Sequence, residues 1–340
     1  MTDIRRVVVN SFDDIEVETV PAPEVSAGEI QVRSTVVGIC GSDIHAAHGR
    51  HPFMSLPFWP GHEVVGVAEA VGDGVSDDIV GKRVVIEPNL ACGVCDQCKA
   101  GRYNICAKLD VFGCQTPGGL TDRFIIPADR VIPLPDDLDD TWAALVEPLA
   151  TPVHAVRRAG DLTGKRVVVV GAGPIGLFVT IAALEAGAER VVVADLLDSK
   201  RARAERLGAH GSFDPTAEDA ADQAVAALQG RAHVVFDCVS RESTVHLAIE
   251  VLDKGGALMT IGVPAGPTKV DLDLVQDREL SITGNLMYVR EDVDHAIALL
   301  RRKPFPLEEV VTATFPLDQA AEAFHTSDDP EQVKVLVTVS

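Results

Sequence analysis

The chain has 340 residues, 46% hydrophobic and 24% charged, with 30 basic against 51 acidic side chains and a formal net charge of −21. That length exceeds one compact core and predicts two domains of ordinary size. The acidity repels phosphate backbones, and Arg201, Arg203 and Arg206 are interleaved with acids and alanines, so nucleic acid is excluded as an expected partner.

Residues 1 to about 150 carry short alternating or β-branched runs, RRVVV, EIQVRSTVVG, EVVGVAEAVG and GKRVVIEP, separated by Gly, Pro and Asp turns. They predict a β-rich domain. The N-terminal MTDIRRVVVNSFDD lacks the apolar run of a signal peptide, and with seven cysteines this predicts a reducing, cytoplasmic setting. Two segments in this half offer metal donors: GICGSDIH brings Cys40, Ser42, Asp43 and His45, and PGHEVVG brings His62 beside Glu63. Cysteine, histidine and carboxylate together form a good zinc set.

The segment ACGVCDQCKAGRYNIC then places Cys92, Cys95, Cys98 and Cys106 within fifteen residues. Four thiolates at that spacing can converge on one tetrahedral zinc; a disulfide cluster is the alternative, disfavoured by the absence of a secretion signal. A site closed by four protein ligands has no position for water or substrate, so it holds a loop together and performs no chemistry.

From about residue 160 the texture changes to apolar strands alternating with helical stretches: RVVVVG, PIGLFVTIAALEAG, RVVVAD, SKRARAERLGA, then HVVFDCV, STVHLAIEVLDKGG, ALMTIGVP and ELSITGN. This is the pattern of a six-stranded, parallel, doubly wound sheet. The apolar run at its start is broken by Gly171, Gly173, Pro174 and Gly176, which predicts a strand, a turn and a buried helix and no membrane span.

Gly171, Gly173 and Gly176, with Pro174 and Ile175 between the last two, form G-x-G-x-x-G at a strand-to-helix turn. The first glycine permits the turn, the second lets the backbone approach a pyrophosphate, and the third lets helix and sheet pack closely. Asp195 follows Gly176 by nineteen residues, where a carboxylate accepts hydrogen bonds from the adenosine ribose and repels a 2′-phosphate, so NAD is favoured over NADP. A helix cap is the plainer alternative for Asp195, and Lys200 and Arg201 nearby soften the preference. Toward the C-terminus, DVDHAIALLRR reads as a helix, PLDQAAEAFH as another capped by Asp318, and VKVLVTV as a strand returning to the first domain.

In this order the motifs resemble the zinc-containing medium-chain dehydrogenase/reductase family over essentially the whole chain, nearest its polyol, or sorbitol-type, branch. The resemblance implies an α/β fold, with a GroES-like β-rich catalytic domain over 1–150 to which 290–340 return, and a Rossmann doubly wound parallel-sheet domain over 151–289 that binds NAD. It implies two Zn2+ per chain: a catalytic ion on Cys40 and His62, and a structural ion on Cys92, Cys95, Cys98 and Cys106. Asp43 would orient His62. Where other members carry a third catalytic cysteine, VEPLATPVHA places Glu147. Glu63 is the preferred direct ligand and Glu147 acts through water, with a helix cap as the alternative for Glu147. Ser42 would receive the substrate proton and pass it through the cofactor ribose toward His45.

The expected reaction is transfer of hydride from a secondary alcohol of a polyol or sugar-like substrate to NAD, giving a ketone. A 2,3-butanediol or L-threonine dehydrogenase is the alternative within the class, and an NAD-responsive, zinc-stabilised sensor the alternative outside it. Partners are a small-molecule alcohol or polyol, with no membrane, and the assembly expected from the polyol branch is a homo-oligomer, a tetramer in preference to a dimer. Phe53, Phe58 and Phe112 read as core before pocket, His48 and His51 as solvated loop residues, Cys114 as a small buried hydrophobe before pocket lining, and Cys238 as structural.

Overall fold

A computed structural model describes residues 3–264 and 266–339. The chain divides into two compact units, one formed by Met1–Pro148, Val289–Lys303 and Val310–Ser340, the other by Leu149–Tyr288 and Pro304–Glu309.

The first unit is built on a seven-stranded sheet. Its central path runs Val311–Pro316, Lys334–Thr338, Glu29–Ile39, Glu63–Val71, Arg83–Ile86 and Val131–Pro133, and Arg123–Pro127 also pairs with Glu29–Ile39. Glu29–Ile39 alternates buried and half-buried residues until its last four positions, all of which are buried. One face of an antiparallel strand covers a core in this way, and its end plunges into the unit. The strand Lys334–Thr338 pairs antiparallel with Glu29–Ile39, with Val335 opposite Ile39, and Gly38 lies opposite Glu63 on the other side. Lys334, Cys40 and Glu63 therefore meet at one end of three adjacent strands.

Asp318 does not cap the C-terminal helix. It lies in a short 3-10 turn, Leu317–Gln319, ahead of the helix Ala320–Ser327, whose N-cap is Gln319, and its carboxylate pairs with Arg5 at 3.1 Å. Attraction to a guanidinium across the fold wins over a local backbone bond.

The second unit holds a six-stranded sheet in the order Ser212–Phe213, Arg190–Ala194, Arg166–Val170, Ala232–Asp237, Leu252–Thr260, Ser281–Gly284, with every pairing parallel. Counted along the chain this is 3-2-1-4-5-6, the doubly wound order that reverses at its first strand. Val167, Val168, Val169 and Val170 are at most 1% exposed, because helices cover both faces of a parallel sheet and leave its strands continuously apolar. The α/β class expected from the sequence is the one observed. The two-residue strand Ser212–Phe213 is too short to leave a periodic signal and was not anticipated.

Candidate active site and metal centres

The sheet end in the first unit opens into the helix Gly41–Ala47, with Cys40 at its N-cap. The Cys40 N–H donates to Asp43 Oδ2 at 3.0 Å, so the carboxylate three residues on fixes the residue that carries the thiol. The ligand atoms of Cys40, His62 and Glu63 lie within 4.8 Å of one another. Glu63 fits because position 38 is glycine: a Cβ there would stand 2.0 Å from Glu63 Oε2.

Lys334 donates to both oxygens of Glu63, at 2.6 and 2.8 Å, and to the Ile39 carbonyl at 3.2 Å. Both partners are almost completely buried. Burial works against charge on Lys334, but the Glu63 carboxylate outweighs it and holds the amine above its usual range. Glu147 stands in the first turn of the helix Val146–Arg158, outside the three-residue cluster, and adds to the negative field on Lys334.

His62 is buried, with Nδ1 3.7 Å from Asp43 Oδ1 and 3.8 Å from Cys114 Sγ. Burial opposes charge on the ring, yet the Asp43 carboxylate raises its pKa well above the ordinary histidine value. Cys114 is half-buried and packs against the core as a small hydrophobe would, and its thiol also lies against the histidine of the cluster. Ser42 and His45 share the helix one turn apart, Ser42 half-buried and His45 exposed, on neighbouring surface positions.

Of the aromatic residues near this segment, Phe58 and Phe112 join the core, whereas Phe53 is 73% exposed. His48 is no solvated loop residue. Its ring stacks on Phe12 at 4.0 Å and its Nε2 lies 3.4 Å from Asp328.

The four-cysteine segment gathers its sulfurs as one group within 4.8 Å, with Cys95 Sγ 3.5 Å from Cys98 Sγ and 3.9 Å from Cys106 Sγ. Four sulfurs about 2.3 Å from a tetrahedral zinc are about 3.8 Å apart, so the spacing suits that ion and is far too long for S–S bonds of about 2.05 Å. Backbone N–H groups of Ala107 and Cys98 hold Cys95 down at about 6, while burial and the Cys95 sulfur push Cys98 up to about 12. Thiols this close cannot all ionise without a cation among them.

In the second unit, Gly171 follows the strand Arg166–Val170 at φ +94°, and the helix Pro174–Glu185 begins with proline at its first position. A Cβ on Gly176 would lie 1.7 Å from the Gly171 carbonyl oxygen, so only glycine allows helix and turn to approach this closely. A Cβ on Gly173 would meet nothing within 4 Å: its backbone fronts open space, as an approaching pyrophosphate requires. Asp195, directly after the strand Arg190–Ala194, accepts the N–H of Ala172 at 2.7 Å and of Leu197 at 3.0 Å, bracing the glycine turn from the neighbouring strand.

Residues 26–136 match the alcohol dehydrogenase GroES-like domain, and residues 174–302 match the zinc-binding dehydrogenase family. Sorbitol dehydrogenase of Rattus norvegicus is 35% identical over 97% of this chain and 94% of its own. The chain belongs to the zinc-containing medium-chain dehydrogenase family. Among solved structures, a short chain alcohol dehydrogenase of E. coli CFT073 complexed with NADH superposes with a TM-score of 0.93 at 26% identity, covering 100% of both chains. A zinc-binding dehydrogenase of Sinorhizobium meliloti 1021 bound to NADP gives 0.92 at 30% identity, again over 100% of both chains. A medium-chain dehydrogenase of the alcohol and polyol type is an oxidoreductase, and the GroES-like and Rossmann parts of the expected fold are both met.

Three residues of this dehydrogenase escaped the sequence reading. Lys334 carries a signal, since a lysine set inside the otherwise apolar run VKVLV must find a buried partner. Gly38 opens the GICGSDIH segment, but its place against Glu63 comes from strand pairing and not from the segment's own spacing. Cys114 is 52 residues from His62, and nothing local to FGCQTP marks their contact.

Proposed function

We propose that this chain oxidises a secondary hydroxyl of a polyol or sugar-like substrate to the ketone, with zinc and NAD. The convergence of Cys40, His62 and Glu63 beside Ser42 and His45 carries the reading: thiolate, imidazole and carboxylate suit a zinc site with an open position. Zinc held there would make the substrate hydroxyl more acidic, and NAD would serve as hydride acceptor. Cys40 and His62 hold the metal, and Asp43 orients His62. Glu63 would supply the further direct contact and Glu147 would act through water; with both Glu63 oxygens on Lys334, an exchangeable bond fits better than a fixed one. Ser42 takes the hydroxyl proton at Oγ, and the exposed His45 delivers it to solvent.

Gly171, Gly173 and Gly176, with Pro174 and Ile175 opening the helix, cradle the pyrophosphate, and Asp195 meets the adenosine ribose. Its carboxylate favours NAD, although one of the two similar structures above holds NADP. Cys92, Cys95, Cys98 and Cys106 hold the second, structural zinc. The likeness to sorbitol dehydrogenase supports a polyol as substrate.

The assembly in this reading is a homo-oligomer, a tetramer in preference to a dimer. Supporting it, the strand Ser281–Gly284 is the last of its sheet among the described residues, and Ile282 and Leu286 are 43% and 50% exposed there. A cytoplasmic setting fits the seven free thiols. No helix of the described residues is long and apolar enough to cross a membrane.

The test is NADH formation by zinc-analysed protein on sorbitol, xylitol, inositols, 2,3-butanediol and L-threonine, with and without chelator, and with NADP in parallel. A chelator-sensitive rate on a polyol is expected. Turnover confined to butanediol or threonine would move the substrate class, and NAD binding without turnover on any of them would favour the sensor.

A further inference from the structure

Asp43 and Cys114 both approach His62 Nδ1. Asp43 Oδ1, at 3.7 Å, stands beyond hydrogen-bonding distance for oxygen and is buried with no hydrogen-bond partner of its own. Cys114 Sγ, at 3.8 Å, is within reach for the larger sulfur atom. The thiol is thus the partner in contact with this nitrogen, and the carboxylate stands just beyond contact and acts through its charge.

The contact is built into the backbone. Segment 118–120 is laced to 59–61 by Gly118 N–H to Trp59 O at 3.0 Å, Gly119 N–H to Gly61 O at 2.8 Å and Leu120 N–H to Pro60 O at 3.0 Å. At the turn that presents Cys114, Gly113 has φ +82°, and a Cβ there would lie 2.7 Å from the Gly61 carbonyl carbon and 2.9 Å from the His62 nitrogen. Cys114 N–H closes the turn on Val111 O at 3.0 Å. Chain 112–120 can press this closely on the residues before His62 only because glycines line the contact.

We propose that Cys114 is a positioning residue: its sulfur takes up the Nδ1 side of His62 together with the Asp43 carboxylate, leaving Nε2 as the one ring nitrogen open to a metal. This rests on the reading of Cys40 and His62 as metal ligands. A ring held at one nitrogen presents the other with a set tautomer and angle, and outer partners of ligating histidines commonly govern metal affinity.

The test compares wild type, Cys114→Ala and Cys114→Ser for zinc affinity by chelator competition and for the visible spectrum of the cobalt-substituted protein. Cys114→Ala is expected to weaken the Cys40–His62 site about 10- to 100-fold and to shift its cobalt bands, with the zinc of the four-cysteine lobe retained. Cys114→Ser should recover part of the loss, and it carries the test if the alanine variant does not fold. Wild-type affinity and cobalt spectrum in the variants would overturn the proposal. So would equal weakening of both metal sites with a lowered melting temperature and no cobalt shift, the mark of a packing residue. A wild type that takes up only the lobe's zinc would instead overturn the reading of Cys40 and His62.

Discussion

Lys334 Nζ grips both carboxylate oxygens of Glu63, at 2.6 and 2.8 Å, from a strand 271 residues away in sequence. The pair lies beside Cys40 and His62, so a charge needed for folding and a group offered to a metal are one carboxylate. Removing one partner of such a pair leaves an uncompensated charge in the interior, which costs more than the pair itself contributes.

Lys334→Met should therefore destabilise the metal-free protein by about 3–5 kcal/mol. Denaturant titration in the presence of chelator measures it. Adding Glu63→Gln should restore most of the loss, because the charge left behind is then gone; a double variant no better than the single one would show that Lys334 acts through packing.

Gly38→Ala places a methyl 2.0 Å from Glu63 Oε2. Backbone carrying the Cβ cannot retreat from a paired central strand, so the carboxylate must shift and strain its bonds to Lys334. A loss of about 1–3 kcal/mol is expected from overpacking of this kind, with weaker zinc uptake at Cys40 and His62. An unchanged melting temperature would mean that the strand gives way more easily than its pairing on both sides implies.

Asp195→Ala should weaken NAD use and relax discrimination against NADP, as measured by the ratio of kcat/KM for the two cofactors. The same carboxylate accepts the Ala172 and Leu197 N–H groups, so NADH affinity should fall as well. Asp195→Asn, which keeps an acceptor for one of these bonds, should lose less affinity while still relaxing the preference. A constant cofactor ratio in both variants would assign the preference to another residue.

Cys106→Ser tests the four-cysteine site. Cys106 is the buried member, and its sulfur accepts the N–H groups of Cys92 and Lys108 at 3.3 Å each. Metal analysis should find one zinc fewer per chain, and the lobe should become sensitive to proteolysis, since the binding energy of a structural zinc is folding energy. Two zinc ions retained would remove Cys106 from the ligand set.

Acid stability has an identifiable source in Arg5 and Asp122, whose guanidinium and carboxylate lie 2.7 Å apart. Burial works against charge on Asp122, but the Arg5 side chain and N–H together hold its carboxyl below the usual range. A depressed folded-state pKa contributes stability above the unfolded value near 3.8, and the contribution fades as pH falls through the folded value. Asp122→Asn should thus lower stability at neutral pH and flatten its dependence on pH below about 4. An unchanged slope of denaturation free energy against pH in that range would contradict this.

Local chemistry made much of the protein legible. Four cysteines in fifteen residues can serve one ion whatever surrounds them, and G-x-G-x-x-G after four valines needs only its own strand and helix to form a phosphate cradle. Alternating apolar strands and helices likewise carry the parallel sheet in their periodicity. Tertiary structure decided what depends on chain segments far apart. Lys334 reaches Glu63 because the last strand pairs beside Glu29–Ile39, and Cys114 reaches His62 because glycines let two loops interlock. Asp318 turned from cap to ion pair for the same reason. Spacing along the chain reports which side chains share a turn or a face, whereas contacts between distant segments follow from strand order and close packing.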